Sequence, residues 1–144
     1  MNAYLAIKYH EDQRNRETIE RISHILEAQG VTAICFVRDV EKWGSIRFHP
    51  SDLMERTFDV IDSSDLLVID LTEKGVGLGI EAGYAHAKGI PIVTIARIGS
   101  DISTTLRGIS QRVYVYQALS KLGPIFHEVA QILGSPKHSA RTKR

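Results

Sequence analysis

Cysteine is nearly absent from this chain: Cys35 stands alone among 144 residues, which excludes an internal disulfide and a thiolate pair for zinc. Cys35 lies inside the apolar run VTAICFV and reads as a small core hydrophobe rather than a nucleophile. The six histidines, at 10, 24, 49, 86, 127 and 138, show no metal-ligand spacing, so no metal site is expected. No apolar run approaches the ~20 residues of a membrane span. The opening MNAYLAIKYHEDQ lacks the basic start and cleavage site of a secretion signal, so a cytoplasmic location is expected. No Gly-Lys-Ser/Thr closes a Walker A loop, and no Gly-x-Ser-x-Gly elbow occurs. Neither an organic cofactor nor a metal is called for.

Apolar residues make up 43% of the chain and charged residues 24%, as in an ordinary globular domain. The net charge of +1 is uneven, because Lys137, Arg141, Lys143 and Arg144 fall in the last ten residues, which hold no acid. The rest carries 14 basic against 17 acidic residues, which argues against a dedicated nucleic-acid binder. The expected organisation is one domain over 1–134 and a basic, disordered tail over 135–144.

Strand and helix periods alternate along that domain. AYLAIKY (3–9), VTAICFV (31–37), DLLVIDL (65–71), IPIVTIA (90–96) and RVYVYQ (112–117) read as five strands. Helical stripes follow residues 13–30, a start at Pro50 or Ser51, about 79–88, and the segment closing near residue 133. Residues 38–50 and 97–111 read as long loops, the second with room for one helical turn. Regular alternation implies a doubly wound parallel sheet between two helical layers, a three-layer sandwich. Five strands suggest the flavodoxin-like order 2-1-3-4-5, with ligands at the carboxyl ends of strands 1 and 3.

The stretch DLTEKGVGLGIEAGYAHAKGIPI leaves the third strand at that edge, with Gly75, Gly77 and Gly79 in alternation and Glu81 behind them. GLGIEA fits the dinucleotide pattern G-x-G-x-x-G/A literally, but it follows the third strand and would aim a glutamate at a pyrophosphate. The other reading gives the glutamate the chemistry. Glycines allow close approach of a ligand to the backbone, and a place near the first helical turn would hold the Glu81 carboxylate ionised. Such a carboxylate can attack an anomeric carbon or stabilise the cation formed as a sugar loses its leaving group. Complementing the helix dipole is the plain alternative.

Here the chain resembles the nucleoside 2-deoxyribosyltransferase superfamily, which includes the 2′-deoxynucleoside 5′-monophosphate N-hydrolases. The resemblance rests on Gly77, Gly79, Glu81, Gly83 and Ala85, which follow Gly-x-Gly-x-x-Glu-x-Gly-x-Ala with the glycine pair one step nearer the glutamate, before a buried strand. It implies the same α/β fold and cleavage or exchange of the N-glycosidic bond of a (deoxy)nucleoside or its 5′-monophosphate. It implies Glu81 as nucleophile, Tyr4 as the tyrosine beside sugar and nucleophile, and Gly75, Val76 and Gly77 against the substrate. ISTTLRG (102–108) resembles the hydrolases' Leu-Ser-x-x-Ile-Arg-Gly, which puts Ser103 on a 5′-phosphate held across a homodimer, with Arg107 beside it.

The chain also departs from that family. Where an aspartate stands eight residues before the Asp opening strand 3, this chain has Thr57, and Gly75 replaces an acid or serine. The first loop is IKYH instead of Gly-Ser-Ile-Arg; Lys8 and His10 could meet a phosphate there, outside the family pattern. Asp70, closing strand 3, is the carboxylate expected to replace the missing aspartate. The competing expectation is a nucleotide-binding module on the same fold that has lost catalysis; a weaker one is an NAD-cleaving domain of the TIR type. Trp43 reads equally as a base-stacking platform or a local anchor.

Overall fold

Tertiary burial selects the centre of the sheet. Strand β1 (Asn2–Ile7) buries Ala3, Tyr4, Leu5 and Ala6 in succession, the signature of a strand covered on both faces. It lies between β2 (Thr32–Ile34) and β3 (Leu66–Asp70), and the sheet continues through β4 (Ile92–Arg97) to β5 (Arg112–Tyr116). All pairings are parallel in the order β2-β1-β3-β4-β5, as the alternation of strand and helix periods implies. The computed structural model describes residues 1–134; the basic tail expected over 135–144 lies outside them. No described helix is long and apolar enough to cross a membrane.

Alternating side chains divide the core into two layers. Leu66 and Val68 of β3 face helices α1 (Arg16–Ala28) and α6 (Leu122–Leu133), where Ile19, Ile22, Leu26 and Phe126 are fully buried. Leu67 and Ile69 face α3 (Pro50–Asp62), α4 (Val76–Ala87) and α5 (Thr104–Ile109), joining Tyr4, Ile61, Leu78, Ala82 and Ala85. Each fully buried Leu, Ile or Phe contributes about 1.5–3 kcal/mol. Pro50 opens α3 at its first position, where the missing N–H costs nothing.

Two elements differ from expectation. The apolar run 31–37 pairs for only three residues, then turns into a short helix, α2 (Phe36–Asp39). The Asp39 carboxylate accepts the Cys35 backbone N–H at 2.8 Å, while Arg38 pairs with Asp39 and donates to the Ala33 carbonyl at 3.0 Å. Local side-chain partners thus overrule a continuous apolar pattern. The second difference is α4, which starts at Val76 rather than near residue 79, so Gly77 and Gly79 belong to its first turn. Glycine disfavours helix by about 1 kcal/mol relative to alanine; the buried stripe Leu78, Ala82, Ala85 overrides it.

Candidate active site

The carboxyl ends of β1, β2 and β3 open onto a cavity of about 270 Å³ under α3 and α4, just below the usual ~300–1,000 Å³ of small-molecule sites. Tyr4, Lys8, Cys35, Phe36, Glu41, Leu53, Met54, Thr57, Gly75, Gly77, Leu78 and Glu81 are among its lining residues. The walls are mostly apolar, and Glu41 and Glu81 are the two carboxylates on them. Among the described residues no group of three or more His, Cys, Asp or Glu could hold a metal ion.

Glu81 reaches this cavity from the sixth position of α4. Gly75, φ −160° and ψ 147°, is the last extended residue before the helix, and one and a half turns then carry Glu81 back over the end of β1. The Tyr4 hydroxyl, centred in the sheet, donates to Glu81 Oε1 at 2.9 Å. Burial pushes the Glu81 carboxyl up to about 7, opposed by the Tyr4 hydrogen bond. Position six is beyond the dipole's reach of about one turn, so the expectation of a carboxylate kept ionised by the helix start is corrected. Desolvation is the larger influence, and the tyrosine is the group that favours the charged form. Burial and the neighbouring Glu81 charge raise Tyr4 well above the ordinary tyrosine value, so it stays a donor.

Thr57, standing where an aspartate was expected, lines the same cavity, but its hydroxyl donates to its own helix at Leu53 O, 2.8 Å away. Glu41, which no motif in the sequence singles out, enters from the segment after α2. The signal available was its place two residues past the Arg38–Asp39 pair that stops strand 2. Its backbone N–H donates to Phe36 O at 3.0 Å, and its carbonyl accepts from Gly44 and Ile46. Lys42 (φ 49°), Trp43 (φ 59°) and Gly44 (φ 87°) then run left-handed in succession, a conformation costing roughly 1–2 kcal/mol for each non-glycine residue. Trp43 holds the turn. Its ring packs 6.4 Å from Tyr9 and lies under the Arg16 guanidinium at 4.5 Å. It is therefore an anchor on the α1 side and does not line the cavity.

The structure brings Glu81, Tyr4, Gly75 and Gly77 together and leaves three expected residues apart. Asp70 is corrected by strand parity: it points to the α1 and α6 side, away from Glu81. There it is buried, accepts Tyr116 Oη at 2.7 Å and caps the Thr72 N–H at 2.9 Å. It lines a smaller recess of about 130 Å³ with Asn15, Thr18, Thr72 and Arg97, which meets the main cavity at Ile7 and Lys8. Ser103 precedes α5 with its hydroxyl 2.6 Å from that of Thr105 and does not line the cavity within this chain. Val76 is 83% exposed at the start of α4 and faces outward. His10 pairs with Glu73, whereas among the described residues the Lys8 ammonium has no hydrogen-bonded partner.

No protein-family model matches the chain. It is 25% identical over 141 residues to a candidate 2′-deoxynucleoside 5′-phosphate N-hydrolase 1 of Thermofilum pendens, covering 92% of this chain and 95% of that one. A namesake from Syntrophotalea carbinolica is 31% identical over 71 residues, 47% of this chain and 50% of that one. Among solved structures, the CMP N-glycosidase of Clostridium botulinum aligns with a TM-score of 0.62 at 20% identity, covering 92% of this chain and all of the other. The 2-deoxyribosyltransferase of Bacillus psychrosaccharolyticus aligns at 0.65 and 13% identity, covering 85% and 90%. Identities this low carry the fold and not the reaction. The chain thus has the fold of the nucleoside 2-deoxyribosyltransferases and is similar in sequence, over nearly its whole described length, to the 2′-deoxynucleoside 5′-phosphate N-hydrolases.

Proposed function

We propose that this protein cleaves or exchanges the N-glycosidic bond of a (deoxy)nucleoside or its 5′-monophosphate, with Glu81 attacking C1′. The observation that carries the reading is the Tyr4–Glu81 hydrogen bond of 2.9 Å inside a largely apolar cavity. Desolvation makes the carboxylate more nucleophilic once ionised, and a single phenol orients it. Attack forms a C1′–O ester as the C1′–N bond breaks, and water or a second base then displaces Glu81. Gly75 and Gly77 leave room for the sugar beside the helix start: beyond its own helix backbone and chain neighbours, a Cβ at Gly77 would meet nothing within 4 Å. Lys8 lines the cavity, and its ammonium, without a hydrogen-bonded partner among the described residues, suits a 5′-phosphate.

Two further expectations belong with this reading. The apolar pair Val76 and Ile80, 83% and 46% exposed one helical turn apart on α4, supports a homodimer in which Ser103 of one copy approaches the partner's site. Sedimentation of the full chain measures that assembly. For the reaction, the protein is incubated with the deoxynucleosides and their monophosphates and free base is assayed. Wild type should release or exchange at least one base, and Glu81→Gln should lower the rate by about 10³-fold or more while still binding substrate. Ligand-induced thermal stabilisation without turnover in wild type, unchanged in Glu81→Gln, would instead identify a binding module.

A further inference from the structure

Cleavage of an N-glycosidic bond leaves an electron pair on the base, and that pair requires a proton unless the base departs already neutralised. Thr57 cannot give one, being tied to Leu53 O. Asp70 faces the other side of the sheet and is occupied by Tyr116 and Thr72. Within the cavity, Glu41 is the remaining carboxyl group. Among the described residues it has no hydrogen-bond or ion-pair partner for its carboxylate, although it is half-buried. Its backbone, in contrast, is held by three hydrogen bonds and by the left-handed turn at 42–44 that Trp43 anchors. A side chain fixed at its base and unsatisfied at its tip, in a cavity that already holds a nucleophile, is placed to meet a ligand.

We propose that Glu41 is the general acid of the reaction assigned above, contacting the base and protonating it as it leaves. The inference rests on that reading of Glu81. The balance is complete with water as co-reactant. The Glu41 carboxyl proton passes to the base as the C1′–N electron pair withdraws onto nitrogen, and a Glu81 oxygen bonds to C1′. Water then attacks C1′, gives its proton to the Glu41 carboxylate, and the C1′–O pair returns to Glu81. One carboxyl group comes from the segment after α2 and the other from α4, so the nucleoside would lie between them. Burial alone raises the Glu41 carboxyl above the ordinary glutamate value, and a base filling the cavity removes more water and raises it further. The titratable groups that share the cavity with it are Tyr4, Lys8 and Tyr9 from β1 and its end, Cys35 after β2, and Glu81 from α4. α3 contributes only Leu53, Met54 and Thr57. Among the described residues no cation is paired with Glu41 to hold it ionised.

The test compares wild type, Glu41→Gln, Glu41→Asp and Glu81→Gln on two substrates: the deoxynucleoside that wild type cleaves best, and 4-nitrophenyl 2-deoxyribofuranoside, whose leaving group needs no proton. Glu41→Gln should slow the nucleoside by about 100-fold or more and the nitrophenyl glycoside by less than about 10-fold. Glu41→Asp should recover part of the nucleoside rate. With the nucleoside, kcat/KM of wild type should fall at high pH as Glu41 ionises, and Glu41→Gln should lose that limb. Equal losses on both substrates, or an unchanged alkaline limb in Glu41→Gln, would overturn the assignment. If Glu81→Gln abolishes turnover while Glu41→Gln does not slow it, the nucleophile stands and this inference fails. If Glu81→Gln retains full activity, the reaction assignment itself fails. The pH profile decides the matter even where the nitrophenyl glycoside is not accepted.

Discussion

At the scale of single residues, Glu81 ties stability to pH. Its carboxyl is raised from 4.5 to about 7 in the folded chain, so the native state holds this proton more tightly than the unfolded chain does. The resulting stabilisation is complete below about pH 4.5 and is lost as pH rises through about 7, a swing on the order of 3 kcal/mol. The proposed attack on C1′ needs the ionised form, so the proposal predicts activity that climbs over the same interval. Denaturant titrations of wild type and Glu81→Gln should diverge as pH rises, the variant being the more stable at pH 8. Equal pH dependence in the two proteins would refute the assignment of this proton to Glu81. Tyr4→Phe removes the group that favours the ionised form, so the rising limb of kcat should move to higher pH. How far the sequence revealed these residues depends on what it encodes locally. Glu81 and Tyr4 were legible, because one sits in a dense glycine motif and the other in an unmistakable strand. Glu41 was not, because its role arises from a backbone turn that brings it back over β1, and no spacing rule encodes that turn.

Elements show where pattern reading stops. The five strands and their order follow from alternating periods, yet β2 is cut short by the Arg38–Asp39 pair and α4 is lengthened across its glycines. In both cases a few side chains outweigh an average propensity. The glycines of α4 also separate folding from function. Gly77→Ala should stabilise the helix by about 0.5–1 kcal/mol, since a methyl group there meets nothing in the unliganded chain. It should nonetheless lower kcat/KM, because Gly77 lines the cavity. Gly79→Ala, one step outside the lining, should stabilise similarly and leave kcat/KM unchanged. Thermal melts and steady-state rates on the two variants measure both halves; equal activity losses would mean that the glycines serve the helix and not the ligand.

At the scale of the whole molecule, the sheet separates two core layers, and the Tyr4–Glu81 pair lies on the side of one of them. Phe126 is fully buried in the other, against α1. Phe126→Ala should therefore cost about 3–5 kcal/mol of stability and lower the denaturation midpoint. Turnover at 25 °C should stay near the wild-type value, as shown by rate measurements on protein that remains folded by circular dichroism. A matching loss of rate would mean that the layers are mechanically coupled.

One strand end imposes a shared boundary on both sides of the sheet. Ile7 and Lys8 border the large hollow beneath α3 and α4 and also the small one that contains Asp70. A bulkier side chain at position 7 would narrow two chambers with a single mutation. Met54 and Leu53 on α3 border only the larger of the two, so trimming either would widen one chamber without disturbing its neighbour.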